Sequence, residues 1–140
     1  MKLALRRGPA TDATWMDKLA SNIIAVRLMT EYTHAGIVIG DTLYHATARR
    51  GLHSAAYTPE RWELIELGTD GDMEALRLFS KHDGAGYDWF SLLAFALIPA
   101  RDSRRFYCYE WCHLAMTGKH PTERATPESL LELALKARHG

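Results

Sequence analysis

The part of the sequence that most restricts the fold is a pair of β-rich runs joined by a two-residue turn signal. Residues 33–39 read THAGIVI, residues 42–47 read TLYHAT, and Gly40 and Asp41 lie between them. A Gly-Asp pair between two such runs is typical of a β-hairpin. We therefore predict two neighbouring strands, one carrying His34 and the other His45.

Further strands and helices are predicted on both sides of this hairpin. We expect strands near residues 3–5, 52–56 and 62–67, and helices near residues 14–28, 70–79, 88–97, 107–116 and 126–136. One helix, a small antiparallel sheet and a helical second half are typical of an α+β fold. No linker or repeat divides the chain, so residues 1–140 are expected to form a single domain.

Helix-end signals accompany several of these predicted helices. Residues 70–72 resemble an N-cap, and Gly118 ends the helix that begins near residue 107. Thr126 followed by Pro127 is an N-terminal signature for the last helix.

The charge balance argues against two classes of partner. Seventeen Lys and Arg residues match seventeen Asp and Glu residues, which leaves no electrostatic footprint for nucleic acid or an anionic membrane surface. The longest apolar stretch, residues 90–100, is too short to cross a bilayer, and the N-terminus does not resemble a signal peptide. We expect no nucleic-acid partner, no transmembrane segment and a cytoplasmic location, with a host-cell or phage-associated context also open.

The two cysteines, Cys108 and Cys112, lie one turn apart on a predicted helix. A disulfide between them would close a very small loop and stabilise little, which indicates a reducing compartment or a protein that is indifferent to oxidation. Together with His113 they suggest zinc, but no second Cys or His pair has suitable spacing. We predict no metal and no cofactor.

Cys108 is the better candidate for a reactive thiol. It stands at the predicted start of a helix, where the partial positive charge of the helix N-terminus favours the thiolate. Cys112, one turn further along, receives less of this field. A cysteine taken alone is more often a small buried apolar residue, so that alternative stays open.

The two hairpin histidines are candidates for acid–base chemistry. His34 directly precedes the apolar run of its strand, and His45 lies on the returning strand. A histidine at a strand edge can be held rigidly, which suits a general base. The second histidine could orient the first by accepting its other ring proton. A surface hairpin with two incidental histidines explains the same pattern.

The hairpin resembles a motif of the NlpC/P60 superfamily, in which a strand reading H-x-G-I-x-I-G is followed by one ending in a polar residue before Ala. Here the matching segments are residues 32–41 and 43–46. A Gly-Tyr-Asp segment at 86–88 and the cysteine segment at 106–111 follow. Ordinary members place the cysteine before the hairpin, so the order in this chain is similar to the circularly permuted branch. Tyr109 stands where that branch has a small residue.

This resemblance implies a papain-like core, with a small antiparallel sheet or half-barrel packed on the cysteine helix. It implies Cys108 as nucleophile, His34 as base and His45 as orienter. It also suggests substrate-binding roles for Tyr87, Tyr109 and Glu110, and an oxyanion hole from the backbone N–H groups of Cys108 and Tyr109. A core tyrosine and an exposed helix-start glutamate are the simpler explanations of Tyr87 and Glu110.

The function that the resemblance implies is cysteine-dependent hydrolysis of an amide or ester. The expected substrate is a small peptide, a peptidoglycan fragment or a lipid-like acyl compound, and a bacterial or phage origin would fit. One alternative is a lipid-directed acyltransferase or hydrolase of the lecithin:retinol acyltransferase-like type. Another is a catalytically silent binding or structural protein on the same scaffold.

Overall fold

The computed structural model describes residues 1–7, 32–47, 50–59, 62–84, 86–87, 105–106 and 108–139. The helices predicted near residues 14–28 and 88–97 lie outside these residues. The strands of the described part are β1 (Lys2–Arg7), β2 (Tyr32–Ile39), β3 (Thr42–Thr47), β4 (Gly51–Ala56), β5 (Trp62–Glu66), β6 (Gly86–Tyr87) and β7 (Arg105–Phe106). The helices are α1 (Asp72–His82), α2 (Cys108–Thr117) and α3 (Pro127–His139).

Five strands form one antiparallel sheet in the order β4-β3-β2-β1-β5. Gly40, in the turn between β2 and β3, and Gly51, the first residue of β4, lie in the left-handed region with φ 58° and 68°, which glycine adopts without steric cost. The predicted hairpin is therefore confirmed, as are the other predicted strands of this sheet. An antiparallel sheet combined with helices also confirms the α+β class.

The sheet is covered on both faces near its centre. On one face, Leu3, Leu5, Ala35 and Ile37 pack in a large core cluster with residues of all three helices. On the other face, Ala4, Val38 and Leu43 form a smaller cluster with the partly buried side chains of Tyr57 and Trp62. Because side chains alternate between faces, neighbouring residues of β2 belong to different clusters.

Two side-chain hydrogen bonds fix α2 against the sheet. The hydroxyl of Tyr109 donates to the backbone carbonyl of Tyr32 at 2.7 Å, and the indole N–H of Trp111 donates to the carbonyl of Tyr44 at 2.8 Å. Gly118, with φ 72°, follows the last residue of α2 as predicted. These two bonds hold the first half of α2 against β2 and β3.

The other two helices begin close to where the sequence predicts. At the start of α3, the backbone N–H of Thr126 donates to the Ser129 hydroxyl at 2.9 Å, and the N–H of Ser129 donates to the Thr126 hydroxyl at 3.2 Å. The helix continues beyond the predicted end at residue 136. The N-cap of α1 is Gly71, and no side chain caps this helix. The predicted side-chain cap is wrong because the Asp72 carboxylate lies in the first turn and pairs with the amino group of Met1. None of the described helices has both the length and the apolar character that a membrane crossing requires.

Candidate active site

His34 and His45 meet inside the protein. The Nε2 atom of His34 and the Nδ1 atom of His45 are 2.8 Å apart, within hydrogen-bond distance. Their side chains are only 6% and 9% exposed, respectively. The hairpin thus joins the two histidines by one buried hydrogen bond.

The register of the hairpin explains this contact. Ile37 pairs with Tyr44, so the same register places Gly36 opposite His45, and His34 is the diagonal neighbour. Diagonal neighbours in an antiparallel pair are within reach of long side chains. A Cβ atom at position 36 would lie 3.2 Å from the Cβ of His45 and 3.3 Å from the carbonyl oxygen of Tyr44. The missing side chain at Gly36 therefore leaves the space in which His45 reaches His34.

Burial keeps both imidazoles neutral. Desolvation is the largest cause that lowers the pKa of His45 to about 3, followed by the nearby charges of His53, Arg6 and Arg50. Desolvation also lowers the pKa of His34 well below its ordinary value, with His45, Arg6 and His53 adding to it. A neutral imidazole carries one ring proton, so only one of the two facing nitrogens can be the donor.

The direction of that hydrogen bond decides what His34 can do. When His34 donates from Nε2, its Nδ1 atom keeps a lone pair and can accept a proton. When His45 donates from Nδ1, His34 must carry its own proton on Nδ1 and cannot act as a base there. The pair is therefore competent for acid–base chemistry in one of its two tautomeric arrangements.

The histidines belong to a row that crosses the whole sheet, with one residue from each of its five strands. In sheet order its members are His53, His45, His34, Arg6 and Trp62, and we call them the cross-sheet row. Ring centroids are 4.5 Å apart for His45 and His53 and 5.8 Å apart for His34 and Trp62. The guanidinium carbon of Arg6 lies 4.9 Å from the Trp62 ring centroid. Sequence reasoning did not assemble this row, because it depends on the order and register of the strands.

Cys108 is the first residue of α2, and its side chain is 0% exposed. The backbone N–H groups of Ala35, Tyr109 and Cys108 itself favour its thiolate, but desolvation is the larger effect and raises the pKa of Cys108 to about 12. The helix start thus acts in the expected direction, yet the resting side chain is a neutral thiol. Burial likewise raises the pKa of Cys112 well above its ordinary value.

The thiol and the histidine pair are linked through β2. The amide of Ala35, which acts on the Cys108 thiol, belongs to the residue directly after His34. Ala35 faces the helical layer with Cys108, whereas the His34 ring lies towards Trp62 on the other face. Among the described residues there is no direct hydrogen bond between Cys108 and His34. The structure therefore places the Cys108 thiol and the His34 ring at neighbouring residues of β2, on opposite faces of the sheet, without a contact between thiol and base.

The remaining predicted site residues lie around the start of α2. Tyr87 pairs with Phe106 in the two-stranded parallel sheet of β6 and β7, which places its backbone next to the strand that precedes Cys108. The side chain of Tyr87 lies outside the described residues. Tyr109 is fully buried and anchors the helix through its hydroxyl. Glu110 is half-buried in the first turn of α2, where its charge is favoured by the helix dipole.

Within the described ranges, no group of three or more His, Cys, Asp or Glu side chains is arranged to hold a metal ion. A comparison of the chain with protein-family models, with curated proteins and with solved structures finds no match. The geometry of the hairpin and of α2 is therefore the basis for any functional argument.

Proposed function

We propose that this chain is a papain-like cysteine hydrolase on a circularly permuted NlpC/P60-type scaffold, working in the cytoplasm. Cys108 is the nucleophile, His34 the general base and His45 the residue that orients His34. The observation that carries the proposal is the buried 2.8 Å contact between His34 Nε2 and His45 Nδ1, one residue from the amide that acts on the Cys108 thiol.

The reaction begins from neutral partners, since the pKa of Cys108 is raised to about 12 and that of His34 is lowered. As Sγ attacks the carbonyl carbon of an amide or ester, its proton passes to Nδ1 of His34. The His34 imidazolium keeps its Nε2–H bond to His45 and then protonates the leaving nitrogen or oxygen. Water attacks the acyl carbon while His34 takes up its proton, and the C–S bond then breaks as His34 returns that proton to Sγ, which releases the acid and restores the thiol.

The end of the β2–β3 ladder supports a meeting of thiol and base. The pairing of β2 with β3 in the described residues covers Ile37 to Ile39 and stops before Ala35. A movement of the Cys108 thiol towards His34 at the level of Ala35 would break no described backbone pairing between these strands. The backbone N–H groups of Cys108 and Tyr109, which favour the thiolate, are also suitably placed to stabilise a developing oxyanion.

The expected substrates are a small peptide, a peptidoglycan fragment or a lipid-like acyl compound. A buried nucleophile requires an acyl group that is narrow at its reacting carbon. One observation favours a second candidate, a silent binding scaffold: the Cys108 side chain is fully buried, with a raised pKa.

The two candidates differ in whether Cys108 can be acylated. We expect p-nitrophenyl acetate, an activated ester, to place one acetyl group on Cys108, detectable by mass spectrometry of the peptide that contains it. His34→Ala should slow this step by about 100-fold, the usual lower range for loss of a general base. His82→Ala, which changes a histidine of α1, is the matched control and should leave the rate unchanged. Equal acetylation in the parent and in His34→Ala, or none in either, contradicts the hydrolase and favours the scaffold.

A further inference from the structure

His53 is the outer histidine of the cross-sheet row, and its place follows from the sheet register. It stands directly opposite His45 in the pairing of β3 with β4, and directly opposed residues of antiparallel strands have their Cβ atoms within about 5.5 Å. The two ring centroids are 4.5 Å apart at an angle of 49°. Unlike the two inner histidines, His53 is only half-buried.

The tautomer of neutral His53 is determined by its own strand. Its Nδ1 atom lies 2.8 Å from the backbone carbonyl oxygen of Gly51. A carbonyl oxygen only accepts hydrogen bonds, so Nδ1 of His53 carries the proton. The lone pair of a neutral His53 ring is therefore on Nε2.

The single ring proton of neutral His45 is on either Nδ1 or Nε2. Its Nε2 atom is buried and, in the described part of the chain, without a hydrogen-bond partner. The Nε2 lone pair of a neutral His53 would favour a proton on that atom, and the His53 ring is the aromatic neighbour of His45 on β4. A proton on Nε2 leaves Nδ1 of His45 as an acceptor, which in turn requires His34 to donate from Nε2.

We propose that His53 is a positioning residue that holds the proton of His45 on Nε2 and thereby leaves Nδ1 of His34 able to accept a proton. The catalytic meaning of this inference rests on the proposed function. The tautomer link itself does not, because it concerns three histidines whose ring protons are observable without turnover.

The test is the ring ¹⁵N spectrum of His34 in uniformly labelled protein, since protonated and bare ring nitrogens have distinct shifts and couplings. In the parent we expect His34 to be protonated on Nε2 and bare on Nδ1. His53→Leu should shift His34 towards the opposite tautomer and slow acetylation of Cys108 by about tenfold or more, the loss usual for a residue that orients a histidine. His53→Gln offers a carbonyl acceptor to His45 and should restore both properties.

Two controls keep the test decisive. His82→Leu, on α1, should leave the His34 spectrum as in the parent. If His53→Leu does not fold, His53→Phe keeps a ring without nitrogen and should show the same tautomer shift. An unchanged His34 tautomer in folded His53→Leu or His53→Phe would overturn the inference. A shifted tautomer with no acetylation of Cys108 in any protein would instead support the link and contradict the hydrolase.

Discussion

Burial lowers the pKa of both His34 and His45, so that the two rings stay neutral even below pH 6.5. This neutrality suits a base that must be ready to accept a proton, but it also makes the folded state sensitive to acid. Cys108 shows the same physics with the opposite sign, because burial raises the pKa of a thiol to about 12. At the scale of single residues, desolvation outweighs both the helix start and the neighbouring charges.

The stability of the protein should therefore fall in mild acid. The pKa of His45 is about 3 in the folded protein, against an ordinary value of 6.5, and the pKa of His34 is also lowered. Between pH 3 and pH 6.5, His45 is protonated in the unfolded chain but stays neutral in the folded protein. The stabilising contribution is complete above about pH 6.5 and decreases as the pH falls towards 3, by about 1.4 kcal/mol per pH unit for each fully titrating histidine.

Urea unfolding at pH 7 and pH 5 measures this effect. The parent should lose stability between the two values, and His45→Asn should lose less, because it has one titrating group fewer. An equal loss in both proteins would show that His45 does not titrate as its burial requires.

Among the secondary-structure elements, the hairpin of β2 and β3 positions the two buried histidines. Gly36 is the residue of this hairpin at which a side chain would most disturb them. We expect Gly36→Ala to push His45 away from His34, since the new Cβ would lie 3.2 Å from the Cβ of His45 and 2.6 Å from Cδ1 of Leu43. The free energy of unfolding should decrease by about 1–3 kcal/mol. The ring ¹⁵N signal of His34 should also lose the signature of its hydrogen bond to His45.

Gly40→Ala is a matched control for that substitution. Position 40 has open space around it but a positive φ of 58°, so alanine there should cost about 1–2 kcal/mol through backbone strain alone. The histidine hydrogen bond should survive in Gly40→Ala. Loss of that bond in both variants, or in neither, would contradict the role assigned to Gly36.

The strands of the hairpin could be predicted from the sequence, but the cross-sheet row could not. The two β-rich runs and the Gly40-Asp41 turn predict both strands and the order of His34 and His45, because these signals are local. The cross-sheet row also needs the pairing of β1 with β2 and of β1 with β5, contacts between distant segments that no local pattern specifies. The thiol pKa of Cys108 could not be predicted either, since the depth of burial depends on how α2 packs on the sheet.

At the scale of the whole molecule, the sheet separates two environments. The helical layer holds the Cys108 thiol in the larger core cluster, and the opposite face carries the cross-sheet row. We propose that these environments communicate where the pairing of β2 with β3 ends, near Ala35, so that His34 takes the proton of Cys108.

The most direct measurement of this claim is the rate of Cys108 alkylation by iodoacetamide against pH, in the parent and in His34→Ala. Peptide mapping follows Cys112 in the same samples, and this cysteine is equally buried one turn along α2. If His34 takes the proton of Cys108, the parent should react at Cys108 at least about tenfold faster than His34→Ala at neutral pH, while Cys112 should react slowly in both proteins. Equal rates at Cys108 in the two folded proteins would contradict this proton transfer.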